Sequence, residues 1–139
     1  MARTTFNGPV ASQNGFIAGH QVTASNAINA TATATAAQVA TGYITSTSVG
    51  TVTITLPTGT LLGAALSATQ GTTLDLFIDN TAGASVVTVA VATNGILSTA
   101  AADTPGSFGD LTVASGATGI GRFTLMFSSA TAYVFTRTA

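Results

Sequence analysis

Charge is what this sequence has least of. Seven of its 139 residues are charged, or 5%, where average usage would supply about 35. They are Arg3, Arg122, Arg137, Asp75, Asp79, Asp103 and Asp110; Lys and Glu do not occur. A net charge of -1 leaves no electrostatic footprint for nucleic acid. Three separated Arg residues also release few counterions, so DNA or RNA is not an expected partner. Cys is absent, which excludes a disulfide framework and thiolate zinc sites. Trp is absent and aromatics are 6%, which weighs against the aromatic platforms that sugar sites use. Long apolar runs are missing too. Thr, Ser, Asn and Gly interrupt every window before about 18 apolar residues accumulate, so no membrane span is expected. The opening MARTTFNGPV has no cationic stretch leading into an apolar run, and a signal peptide is not expected.

What is present is Ala, Val, Thr and Gly. Hydrophobic residues make up 46% and mean hydropathy is +0.54, enough for a real core in a 13.6 kDa chain. Thr, Ser, Asn and Gln must carry the solubility, and Thr also suits strands because its β-branched side chain fits a pleated surface. Soluble monomers ordinarily stay dispersed through charge. A surface with so little of it suits a subunit whose neighbours cover much of it.

Three zones follow one another. Residues 1–20 hold the turn signals Asn7-Gly8-Pro9 and Asn14-Gly15 without a sustained period. They read either as an extended N-terminal arm that docks through Phe6, Val10, Phe16 and Ile17, or as an edge strand folded back on its own domain. The domain itself is expected over 21–139. Its first stretch, 21–41, alternates Ala and Thr from Ala30 to Ala36. Ala permits a helix there, and the alternating Thr favours a strand.

Beyond residue 42, strands are expected at 42–47, 50–56, 72–79, 85–93, 110–114, 119–127 and 131–137, with turn residues between them. In 51–56, Val52, Ile54 and Leu56 share one face and Thr51, Thr53 and Thr55 the other. The last two strands suggest a hairpin that sets Phe123, Leu125 and Phe127 against Tyr133 and Phe135. One helix is expected after Pro57, capped by Thr58 or Thr60 and ending near Gln70-Gly71. The expected fold is all-β: a jelly-roll or β-sandwich-like domain with one short helix and an extended N-terminal arm. The runs TVTITL and SVVTVAVAT are strongly β-forming, apolar and uncharged, so both need burial to avoid aggregation.

Chemistry-bearing residues are few. Asp75 and Asp79 fall on one strand face about 13 Å apart. That is too far to share a metal or to flank a glycosidic bond. His20 stands alone, and no G-x-S-x-G elbow occurs. Asp103 and Asp110 flank a Pro-Gly loop that turn chemistry explains, and EF-hand spacing is missing. Gly119-Ile120-Gly121 lacks the later Gly and the helix of a phosphate loop, and reads as a strand start. Asn29-Ala30-Thr31 matches a glycosylation acceptor by chance. Arg122 and Arg137 each have a possible Asp partner across a sheet or subunit boundary, and Arg3 could anchor the arm. No enzyme, cofactor or metal is expected.

The opening Thr4-Thr5-Phe6-Asn7-Gly8-Pro9-Val10 with Asn14-Gly15-Phe16 resembles the start of small virion structural proteins of tailed bacteriophages. The stretch from ITLPTGTLLGAALSATQ through GRFTLMFSSATAYVFTR is similar to the Thr/Ala/Gly-rich β domains of phage head-decoration (cement) proteins and related capsid or tail fibres. The resemblance implies a jelly-roll module, usually a homotrimer, on the outer surface of the capsid. It implies bridging of major capsid protein subunits, with Arg3, Phe6, Pro9, Val10, Phe16 and Ile17 as capsid-contact candidates. A tail or head-fibre module for host attachment is the alternative reading; a carbohydrate-active or lectin-like domain ranks below both.

Overall fold

The computed structural model describes residues 26–97 and 111–138. They form β1 (Ala32–Thr33), α1 (Ala36–Ala40), β2 (Tyr43–Thr45), β3 (Val52–Thr55), α2 (Gly59–Leu66) and β4 (Thr73–Asp79). β5 (Val87–Ala90), β6 (Gly95–Leu97), β7 (Thr112–Val113), β8 (Ile120–Ser129) and β9 (Ala132–Arg137) follow, with a 3-10 turn at Gly116–Thr118 before β8. The expected arm, 1–20, lies outside the described residues.

Two sheets result, in the orders β1-β3-β5-β7 and β2-β4-β8-β9-β6. From β1 to β8 the chain changes sheet at every strand. A strand meets its predecessor in the same sheet only after crossing to the other sheet and back. β1–β3, β3–β5 and β2–β4 are parallel, whereas β5–β7, with the same double crossing, is antiparallel. β8 runs antiparallel to β4, and β9 turns directly back to run antiparallel to β8.

The fold is therefore not the expected all-β jelly-roll or β-sandwich-like domain with one short helix. It is a mixed α/β arrangement, about 41% strand and 16% helix among the described residues, with two α-helices and parallel pairs in both sheets. The physical reason is plain. Period-two alternation marks a strand but says nothing of its partner's direction, and parallel pairing depends on a crossover that alternation does not encode.

Local chemistry explains the additional helix, α1. Thr35 caps α1: its side chain accepts from the Gln38 N–H at 3.2 Å, while the Thr35 N–H donates to Gln38 Oε1 at 2.9 Å. This reciprocal capping box closes the Ala/Thr alternation after a two-residue strand and turns Ala36-Ala37 into a helix. α2 begins as expected, with Thr58 accepting from the Leu61 N–H. It ends earlier than expected, at Ser67 in a left-handed conformation (φ 50) rather than near Gly71. β6 was not expected, because Asn94-Gly95 reads as a turn; Asn94 does turn (φ 63), and Gly95 then opens the strand.

The core lies between the sheets. Val52, Ile54, Val87, Val89 and Val113 point inward from one, and Ile44, Leu76, Ile78, Phe123, Leu125, Phe127, Tyr133 and Phe135 from the other, all fully buried. The expected hairpin forms in the expected facing: Leu125 pairs with Phe135 and Phe127 with Tyr133. Phe123 stacks on Phe135 at 5.1 Å, and Phe127 meets Tyr133 at 5.7 Å. Each fully buried large side chain is worth about 1.5–3 kcal/mol.

α2 reaches this core through two glycines one turn apart. A methyl on Gly63 would stand 1.9 Å from the Ala130 carbonyl oxygen, and one on Gly59 2.2 Å from that of Thr131. The helix thus lies directly on the backbone of the β8–β9 turn. Ala in place of Gly favours an isolated helix by about 1 kcal/mol. Here Gly63→Ala is expected to lose about 1–3 kcal/mol of stability by overpacking. Urea unfolding reads this, and a variant as stable as the parent would disprove the close approach.

Candidate functional site

Alternation along the five-stranded sheet leaves one face in water. Tyr43 and Thr45 of β2 lie on it, with Thr73, Asp75, Phe77 and Asp79 of β4 and Ile120, Arg122, Thr124 and Met126 of β8. Pairing aligns them in rows across the strands. One row is Tyr43–Phe77–Arg122; the next is Thr45–Asp79–Ile120. Asp75 faces Thr124, which faces Thr136, and Thr73 faces Met126, which faces Val134.

Three of the four charged residues among the described ones stand on this face. Arg122 forms an ion pair with Asp75, and its guanidinium lies 5.8 Å from the centre of the Phe77 ring. Thr124 donates its hydroxyl to the other oxygen of Asp75 at 2.8 Å. Asp79 accepts from Thr81 Oγ1 at 2.7 Å, from the Thr81 N–H at 3.0 Å and from the Tyr43 hydroxyl at 2.6 Å. Hydrogen bonds from Arg122, then Thr124, hold the Asp75 carboxyl below its ordinary value. Those from Thr81, then Tyr43, do the same for Asp79, and the bond to Asp79 raises the Tyr43 phenol. Such exposed pairs are worth about 0–1 kcal/mol and fix geometry more than stability.

Between these polar groups the face is apolar. Ile120 is 54% exposed, Met126 50%, and Tyr43 and Phe77 39% each. Other exposed apolar side chains stand elsewhere, Val49 in a loop and Leu61 on α2. No protein-family model, curated protein or solved structure matches the chain.

Asp75 and Asp79 are not brought together; each keeps partners of its own, as their strand spacing predicts. Among the described residues no group of three His, Cys, Asp or Glu could hold a metal ion, and no helix is long and apolar enough to cross a membrane. Arg122 does pair with an Asp across the sheet. Arg137 instead faces inward, 5.9 Å from the Phe123 ring centre, and donates to the Thr112 carbonyl of the other sheet at 2.6 Å. Gly119 packs against the Asn80 backbone and Ile120 opens β8, as a strand start should. Asn29 accepts from the Thr47 N–H at 2.8 Å. The contact candidates Arg3, Phe6, Pro9, Val10, Phe16 and Ile17 lie outside the described residues, as do His20, Asp103 and Asp110.

Two polar residues hold structural positions that their sequence context does not signal. Asn80 reads as a surface turn, yet it is fully buried. Its amide donates to the carbonyls of Ser85 and Ala114 at 2.8 and 2.9 Å, with Val113 at 3.3 Å. Asn26 sits over the C-terminal end of α1, its amide within 2.9 Å of the Gln38 carbonyl and 2.6 Å of that of Tyr43.

Two pH effects follow, with opposite signs. The folded-state values of Asp75 and Asp79 lie below the ordinary 3.8. Their contribution is full above that pH and is lost as pH falls through the folded values. Burial pushes the Tyr133 phenol, which donates to the Pro57 carbonyl at 2.9 Å, up to about 12. Its contribution is full below 10.0 and is lost as pH rises toward about 12. Urea unfolding against pH should therefore decline at both extremes. Asp75→Asn should flatten the acid limb. Tyr133→Phe should flatten the alkaline limb and lose about 1–3 kcal/mol at neutral pH, by leaving a buried carbonyl without its donor. Unchanged limbs would contradict these assignments.

Proposed function

We propose that this chain is a non-enzymatic structural subunit of a virion, decorating the outside of a tailed-bacteriophage capsid and bridging its major capsid protein subunits. The observation that carries the proposal is the outer face of the five-stranded sheet. Tyr43, Phe77, Ile120 and Met126 stand in water there, on a chain with seven charges to keep it dispersed. Apolar side chains grouped on one exposed face favour a protein partner over solvent.

The step from an assembly subunit to a capsid rests on the resemblance of the opening residues and the Thr-rich β segments to phage decoration proteins. The jelly-roll that this resemblance implies is not the fold found, so fold lends the proposal nothing. Surface chemistry and the arm sequence support it. In this reading the arm, through Arg3, Phe6, Pro9, Val10, Phe16 and Ile17, grips the shell, while the sheet face meets other subunits. Many weak contacts repeated over a shell give strong attachment without any strong single site.

Light scattering on the full chain should give an oligomer, with a trimer as its building unit. A monomer at high concentration would contradict the proposal at its root. Undecorated, expanded heads of the corresponding phage should take up the protein to saturation at a fixed copy ratio. Failure to bind them, with self-association intact, would replace decoration by a fibre role.

A further inference from the structure

We infer that the outer face of the five-stranded sheet packs against the same face of a second copy, about a two-fold axis, with Asp79 of each copy meeting Arg122 of the other. The inference rests on the proposal above and names the partner of that face. Its first support is charge arrangement. Asp79 and Arg122 stand on neighbouring strands one row apart, because Asp79 faces Ile120 and Arg122 faces Phe77. A two-fold axis in the plane of contact that passes between them exchanges the two positions. Each acid of one copy then lies over the base of its partner, twice in every contact. The same operation gathers Phe77 and Ile120 of both copies around the pairs.

Both groups are available for this contact. Arg122 spends one nitrogen on Asp75 and keeps its side chain 46% exposed, and a guanidinium has five donors in all. Asp79 is held by Tyr43 and Thr81 hydroxyls and has no cation partner among the described residues. Its negative charge is thus oriented but not neutralised. A net charge of -1 per chain offers little repulsion between copies.

The area is at the small end. The five strands, 3, 7, 10, 6 and 3 residues long and about 4.8 Å apart, give a face on the order of 450 Å². Two such faces cover on the order of 900 Å², just under the roughly 1,000 Å² of a stable specific interface. A contact of that size is modest and suits a particle in which many copies act together. It closes in pairs, so with a trimeric building unit it predicts an even-numbered species, two trimers joined as a hexamer.

Charge reversal tests it. Asp79→Arg and Arg122→Asp, each confirmed folded by circular dichroism, should each lose the even-numbered species in analytical ultracentrifugation, with self-affinity falling at least tenfold. An equal mixture of the two should restore it, because each reversed residue then meets an opposite charge. If Asp79→Arg does not fold, Ile120→Lys places a cation beside the same site and should cause the same loss. An oligomer indifferent to these changes, or a mixture that stays dissociated, would overturn the inferred contact while leaving the structural-subunit proposal standing. A parent protein that is monomeric at high concentration would overturn both.

Discussion

Phe123, Leu125, Phe127, Tyr133 and Phe135 fill the space between the two sheets, and the other elements take their places from that aromatic column. Opposite it, Val52, Ile54, Val87, Val89 and Val113 complete the core from the four-stranded sheet. At one end Tyr133 donates to the Pro57 carbonyl and fixes the entry to α2. Gly59 and Gly63 let that helix descend onto the hairpin turn. At the other end Arg137 crosses the Phe123 ring to reach Thr112, tying the sheets together. Removing bulk from this column would leave a cavity with several dependents, since close-packed interiors collapse only partly around a loss.

Scarcity of charge puts the remaining structural work on neutral polar groups. Thr35 and Thr58 cap helices, Asn26 covers the end of α1, and Asn80 gathers carbonyls between the sheets. Each bond is modest, but a buried carbonyl left without a donor costs about 1–3 kcal/mol. The aggregation-prone runs are handled by position. TVTITL and SVVTVAVAT supply β3 and β5, which pair with each other inside the four-stranded sheet, flanked by β1 and β7. Their outer edges are partly covered by backbone, β1 along Ile54–Thr55 and β7 along Val87–Thr88, rather than repelled by charge.

The same economy shapes the outer face of the five-stranded sheet. Its few ionic groups are fixed by neighbouring hydroxyls and an aromatic ring, which orients charge without burying it. Aromatic, aliphatic and fixed polar positions thus share one exposed face, and its exposed ion pair adds little stability on its own.

Alternation and turn residues located most strands, the β8–β9 hairpin and the start of α2, because those features depend on residues near one another in the chain. The opposite faces of Val52/Ile54/Leu56 and their Thr neighbours were legible for the same reason, and so was the separation of Asp75 from Asp79. The crossing of the chain between sheets was not, since the direction of pairing is settled by partners far away in sequence. α1 escaped because its capping box lies inside an Ala/Thr alternation that looks like a strand. Neither the meeting of Tyr43 with Asp79 nor the burial of Asn80 could be read from composition, since each depends on contacts 34 to 36 residues away in the chain. The sequence by itself determined a β-rich, weakly charged chain with little material for catalysis. Only tertiary structure decided which strands pair in parallel and which apolar side chains remain in water, because both depend on which sheet each strand joins.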